Sequence, residues 1–334
     1  MAATAVAATL SAAPAFAGKT LDAIKARGQI VCGVNTGLAG FSQADASGNW
    51  TGLDVDVCKA IAAAVLGDAN KVKWVPLNAQ QRFTALQSGE VDILSRNTTW
   101  SLTRDAALGL HFTAVTYYDG QGFMVAKKSK VTSARQLKNA EICVQSGTTT
   151  EKNLSDYFRS QGIKVKPVVF DKFEPSIKAF FSGRCQAYTT DASALAFIRS
   201  KEAPVPDDYL VLPEIISKEP LGPAVRRGDD EWFAIVKWTL NALIEAEELG
   251  ITQARVDSLK TSPDPAVQRF LGVGEDLGKS LGLDRDWAAR AVKAVGNYGE
   301  IFNRNVGADS PLKLPRGLNA LWNKGGILYA QPLR

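Results

Sequence analysis

Residues 95–105 read SRNTTWSLTRD. An amide and two threonines directly follow an apolar run, VDIL, and Arg104 opens the next segment. A second cluster, QSGTTT at 145–150, puts a glycine and three threonines after another apolar run, and TTD at 189–191 ends a third on Asp191. In open parallel sheets, ligands bind beyond the carboxyl ends of the strands, where loop N–H groups are free and helix N-termini carry partial positive charge. An arginine at such a place grips a carboxylate through two parallel hydrogen bonds. An aspartate holds an ammonium. Asn97, Thr99, Thr148 and Thr149 add short donors and acceptors, and Ser101 can cap the segment that carries Arg104. Arg104 and Asp191 together would read both ends of an amino-acid zwitterion, which satisfies two charges that are each costly to bury alone. A surface ion pair with Asp105 for Arg104, and a helix cap for Asp191, are the alternatives that spacing leaves open.

These residues need a scaffold that brings separated strand ends together. The sequence alternates short apolar runs with amphipathic ones: strand at 29–34, helix at 52–67, strand at 71–77, helix at 79–90 and strand at 91–95. That alternation predicts a parallel sheet covered by helices. The pattern then restarts, with strands at 141–147, 164–170 and 184–191 separated by helices at 150–162 and 173–183. FTALQSGEVDIL from Phe83 and IKAFFSGRCQAY from Ile177 align without gaps at an offset of 94. The repeat argues for two similar α/β lobes. Residues 117–129 and 218–228 read as crossings between them, which makes a hinged clamshell. The predicted division is lobe 1 from 18–121 and 222–334, lobe 2 from 122–221, and hinge strands near 120–126 and 218–226. A strong amphipathic helix at 229–250 precedes a helical C-terminal extension.

Composition narrows the function. The chain has 334 residues, enough for two domains, and 46% hydrophobic with 22% charged residues describes a globular protein with real cores. The net charge of +5 is spread out, without the Lys/Arg block of a nucleic-acid binder. Residues 1–17 carry no charge and end in Ala15-Phe16-Ala17, an A-x-A site that predicts cleavage after Ala17 and export. Export makes Cys32, Cys58, Cys143 and Cys185 disulfide candidates, with Cys143–Cys185 between neighbouring strands and Cys32–Cys58 between a strand and its covering helix. With no CxxC pair and one histidine, neither a metal site nor a cofactor is expected. His111 lies in an apolar run and reads as a packed histidine, so Ser-His-Asp catalysis is not expected. GVGEDLGKS at 272–280 misses the phosphate-loop spacing by one residue. Of Trp50, Trp74 and Trp100, the last is the one expected at the site.

At these motifs the chain resembles the periplasmic substrate-binding proteins of polar amino-acid ABC importers, and within them the general L-amino-acid and glutamate/glutamine/aspartate/asparagine binders. The resemblance covers nearly all of 18–334 and includes GLDVDVCKAIAAAV, RFTALQSGEVDILSRNTTW, YYDGQGFMV, VQSGTTTE and the tail VGNYGEIFNRNVG. It implies a two-lobed type 2 clamshell that captures amino acids without chemistry and delivers them, as a monomer, to an inner-membrane ABC permease. It also implies residue roles. Arg104, with Thr99, Asn97, Thr148 and Thr149, takes the α-carboxylate. Asp191 takes the α-ammonium. Asn35 stands where relatives carry a ligand-facing aspartate. Arg82 matches the arginine of acidic-amino-acid binders, and Gln145 and Thr190 are further side-chain contacts. Leu38 stands where relatives often stack an aromatic, which suits a broad pocket or a larger ligand with an amino-acid head, such as a γ-glutamyl peptide. A dehydratase-type enzyme on the same clamshell is the catalytic alternative.

Overall fold

The computed structural model describes residues 19–334; the signal segment and its cleavage after Ala17 lie outside the described residues. The chain opens with α1 (Lys19–Arg27) and β1 (Ile30–Asn35), then a small hairpin of β2 (Gln43–Ala44) and β3 (Trp50–Thr51). It continues through α2 (Leu53–Leu66), β4 (Val72–Leu77), α3 (Gln81–Ser88), β5 (Ile93–Leu94) and β6 (Leu110–Phe112). It crosses to the second lobe on β7 (Tyr117–Asp119). There it forms β8 (Gln121–Ala126), β9 (Glu141–Gln145), α4 (Thr149–Ser160), β10 (Lys166–Phe170), α5 (Phe173–Phe181), β11 (Ala187–Asp191), α6 (Ala192–Phe197) and β12 (Tyr209–Val211). It returns on β13 (Glu219–Leu221) to β14 (Ala224–Arg226) and α7 (Asp230–Glu248), and ends in α8 (Pro265–Phe270), α9 (Trp287–Val295) and α10 (Tyr298–Asn305) with irregular tail segments.

Each lobe is a five-stranded sheet, ordered β4-β1-β5-β14-β6 in lobe 1 and β10-β9-β11-β8-β12 in lobe 2. Both have a parallel trio with its first strand in the middle, then one antiparallel strand, β14 or β8, and an edge strand, β6 or β12, antiparallel to that one and so in the direction of the trio. The central strands are apolar because helices cover both faces, and every residue of β1 is buried. The repeated motif lands on the same step twice: α3 leads into β5, and α5 into β11. The crossing is the antiparallel pair β7–β13, with Glu219 opposite Asp119 and Leu221 opposite Tyr117. β7 begins at the first residue of 117–129, and β13 lies within 218–228.

α2 is apolar around most of its circumference because it is sandwiched between the sheet and α9. Its start depends on Gly52, at φ 133°, where an added Cβ would lie 2.1 Å from the Phe41 carbonyl oxygen. Disulfides join Cys32 to Cys58, tying β1 to α2, and Cys143 to Cys185, tying β9 to the turn before β11, with Cα separations of 6.4 and 5.7 Å. His111 packs on Phe233, ring centroids 5.1 Å apart.

The C-terminal extension folds back onto lobe 1 and reaches the hinge. Tyr298 donates to the Thr116 carbonyl at 2.7 Å. Asn319 accepts from the Tyr118 N–H at 2.7 Å and donates to the Tyr118 carbonyl at 3.2 Å, so its amide completes the free edge of β7. Arg304 and Asn305 both donate to Asp56 on α2, at 2.6 and 2.7 Å. No helix among the described residues is long and apolar enough to cross a membrane.

Candidate ligand-binding site

The carboxyl ends of β1, β5, β9 and β11 face one another across the cleft. Between them lies a polar cavity of about 30 Å³. The lobes stand closed around it. Contacts between the lobes hold this state. Gln80 donates to the Ser146 hydroxyl at 3.0 Å, and Gly147, at φ 71°, comes so near Gln80 that a Cβ would sit 2.9 Å from its Cγ.

Lobe 1 contributes Asn35, Leu38, Arg82, Arg96, Asn97 and Thr99 to the wall. Asn97 has a positive φ of 32°, held by Asp54, which accepts from its N–H at 2.7 Å. Burial pushes the Asp54 carboxyl up to about 7, against the Asn97 N–H and the Arg96 charge. Asn35 donates to the Asn97 side-chain oxygen at 3.0 Å. Arg82 is fully buried, donates from Nη1 to Thr98 at 3.2 Å, and leaves Nε without a partner. Burial, with Arg104 and Arg96 nearby, lowers its pKa well below the usual arginine range. A buried guanidinium with no carboxylate partner is costly until an anion arrives.

Arg104 is brought to the same region but is not on the cavity wall. It sits on a π-helical turn, Thr103–Ala107, with its Nη1 donating to the Thr99 carbonyl at 3.0 Å and its guanidinium 5.1 Å from the Phe83 ring centroid. Burial lowers it to about 10, which leaves it charged at neutral pH, and Glu219 and Asp191 hold it up. It makes no ion pair with Asp105, whose carboxylate instead accepts from the Trp100 indole at 3.2 Å. Trp100 points away from the cavity and stacks on Phe112. Thr99 is in extended pairing with Leu221, and successive side chains of an extended segment face opposite ways, so Thr99 faces the cleft and Trp100 does not.

Lobe 2 contributes Gln145, Thr148, Thr149, Thr150, Phe173, Thr190, Asp191 and Ala194. Thr148 is the N-cap of α4: its hydroxyl accepts from the Glu151 N–H at 3.1 Å and donates to the Gln145 carbonyl at 2.6 Å. Gln145 donates to the Asp171 carbonyl at 3.3 Å. Asp191 occupies the N-cap position of α6, yet its side chain makes no cap hydrogen bond. Burial, then Asp119 and Glu219, pushes its carboxyl well above the usual range. Asp119 is itself raised to about 6 by burial, against hydrogen bonds from Ser193 and the Gly120 N–H.

A guanidinium-rich wall therefore faces a carboxylate across a closable gap. The family model for bacterial extracellular solute-binding proteins, family 3, matches residues 30–255. The chain belongs to that family. A general L-amino acid-binding periplasmic protein of Rhizobium johnstonii is 61% identical over 324 residues, covering 96% of this chain and 95% of the relative. A glutamate/glutamine/aspartate/asparagine-binding protein of Rhodobacter capsulatus is 54% identical, covering 96% and 95%. A solved periplasmic binding protein of an ABC transporter from Brucella ovis, with glutathione bound, is 56% identical with a TM-score of 0.92, covering 94% of this chain and 99% of that one. The family model stops before the extension, which these fuller relatives share by coverage.

Within the solute-binding family frame, three cleft residues went unread in the sequence. Arg96 lies in the stretch that carries Arg104, but only its position at the end of β5 distinguishes it from a surface arginine. Its Nε donates to the Leu77 carbonyl at 2.9 Å, which aims the group along the wall. Phe173 supplies an aromatic from lobe 2 while Leu38 fills the lobe 1 position. Glu219, on the returning crossing strand, is fully buried beneath the cleft and had no local signal.

Proposed function

We propose that this protein captures L-amino acids between its lobes in the periplasm, without chemistry, and delivers them as a monomer to an inner-membrane ABC permease. The observation that carries this reading is the opposition of buried Arg82, Arg96 and Arg104 on lobe 1 to buried Asp191 on lobe 2, neither side being neutralised by an ion pair across the gap. The α-carboxylate goes to Arg104 and the backbone around Thr99, the α-ammonium to Asp191. Arg82 and Arg96 lie along the wall for the side chain, which favours glutamate, aspartate and their amides within a broad set. The names of the relatives from R. johnstonii and R. capsulatus support the same class of ligand.

A second reading is an amino-acid-headed peptide. A groove of about 720 Å³ opens at the mouth, lined by Thr36, Asn78 and Gln81 from lobe 1 and Lys172, Phe173 and Phe197 from lobe 2. It has room for the rest of a γ-glutamyl peptide whose head lies in the clamp, and the glutathione in the B. ovis neighbour supports it. Isothermal titration of refolded protein with glutamate, glutamine, aspartate, leucine, histidine and glutathione separates the two. Tight binding of several free amino acids is expected. Binding of glutathione alone would transfer the account to the second reading, and binding of none would sink both.

A further inference from the structure

Glu219 lies on β13, the strand by which the chain returns from lobe 2, and is fully buried. It makes no ion pair among the described residues; instead it collects four hydrogen bonds. Its Oε2 accepts from Thr99 at 2.5 Å and from Thr149 at 2.8 Å, and its Oε1 accepts from Asn153 at 2.8 Å and Ser217 at 2.6 Å. Thr99 belongs to lobe 1, Thr149 and Asn153 to α4 of lobe 2, and Ser217 to the approach to the crossing strand, so the full set forms only when the lobes are closed.

The chemistry of this cluster limits what the cleft accepts. A carboxylate has acceptors only, so all four groups must donate to it. Each threonine hydroxyl has one proton, and both protons are thereby turned toward Glu219. The two hydroxyl oxygens lie 3.4 Å apart on the cavity wall with neither proton left to bridge them. Their lone pairs open on the cavity that the Asp191 carboxylate also lines, which gives that cavity an acceptor-rich corner.

We infer that Glu219 is a positioning residue for recognition of the ligand's primary ammonium: by holding the Thr99 and Thr149 hydroxyls as acceptors, it builds a site for a group with three N–H donors and couples that site to lobe closure. The inference rests on the amino-acid reading of the cleft and refines it. The threonine hydroxyls serve the ammonium end, and the carboxylate end falls to guanidinium and backbone donors. An alcohol or neutral amide in the corner would satisfy fewer acceptors, and a second carboxylate would meet only lone pairs.

The test is the Glu219→Met variant, titrated with L-glutamate and with glutarate, the same diacid without its ammonium. Thr99 and Thr149 both donate to the one oxygen Oε2; methionine offers no such acceptor, so both hydroxyl protons are released to turn toward each other or into the cavity. L-Glutamate affinity is expected to fall at least 30-fold while glutarate changes less than 3-fold, narrowing the amino to des-amino preference at least tenfold. Glu219→Asp, which keeps an acceptor-only group, should recover part of that preference. Equal losses for both ligands, or no loss for L-glutamate, would overturn the inference. If Glu219→Met does not fold, Thr149→Val carries the same test, because it removes one acceptor from the corner and must produce the same selective loss. Wild type is titrated first: failure to bind any amino acid would count against the amino-acid reading itself, before the variant is considered.

Discussion

The two lobes share a strand order and differ in chemistry. Lobe 1 ends its strands with Arg96 and Asn97 after β5 and supplies Arg82 from α3; lobe 2 ends β11 with Asp191 and enters α4 through three threonines. The duplicated topology places the strand ends of both lobes opposite each other, and the residues at those ends and at the adjoining helix starts decide that one side is cationic and the other acidic. Their carboxylates differ as well. Asp54 of lobe 1 is committed to the protein, since it fixes the left-handed backbone of Asn97, whereas Asp191 makes no cap bond and faces the cavity. Burial raises both. One is a structural acid; the other makes no such commitment, which is why we propose it as the receptor for a positive charge.

Removing the lobe 2 charge should have the largest effect. Asp191→Asn strands the ligand's ammonium opposite three guanidinium groups, with an expected loss of about 3–5 kcal/mol, or about 150- to 5,000-fold in amino-acid affinity by titration calorimetry. Wild-type affinity should also weaken as pH falls, because a raised Asp191 must give up its proton to meet an ammonium. Calorimetry in buffers of different ionisation enthalpy should record proton release on binding.

Asp54 gives the next effect, on stability. Its folded pKa of about 7 lies above its ordinary 3.8, so the folded state holds the proton more tightly. The contribution is fully present below pH ~4 and is lost as pH rises through 7, with an upper limit of roughly 4 kcal/mol. Urea unfolding of the ligand-free protein should therefore give higher stability near pH 5 than near pH 8. Asp54→Asn should reduce that slope, to which Asp119 and Asp191 also contribute, and leave proton release on ligand binding intact. An unchanged slope would erase the distinction drawn between the two acids.

The smallest effect is at Arg82. Arg82→Met should lower glutamate affinity by about 1.5–3 kcal/mol, since a charge-assisted hydrogen bond is lost, and glutamine affinity by less. The same change should stabilise the ligand-free protein in denaturant, because it removes a buried cation with an unpartnered Nε. Equal losses for glutamate and glutamine would move Arg82 from the side chain to the common head group.

Much of this was legible in the sequence, for physical reasons. Parallel strands covered on both faces are continuous apolar runs, so β1, β9 and β11 stood out, and the repeat at Phe83 and Ile177 exposed the duplicated step from helix to strand. Strand ends open on the cleft, which led to Asn97, Thr99, Thr149 and Asp191, all of them on the cavity wall. What stayed hidden depends on tertiary contact. Glu219 acts through hydroxyls 70 and 120 residues away. Arg96 is told from a surface arginine only by what covers it. Trp100 follows Thr99 on the opposite face, which residue type could not reveal. The extension's role was unreadable because Asn319 meets Tyr118 across 201 residues of chain.

The central claim is that the two lobes read opposite ends of one amino acid, and a crystal structure of the complex with L-glutamate tests it most directly. The expected result has the ligand ammonium within hydrogen-bond distance of Asp191 and of the Thr99 and Thr149 hydroxyl oxygens, with its carboxylates on lobe 1 guanidinium groups. A ligand held by one lobe alone, or turned with its ammonium toward Arg82 and Arg96, would contradict it.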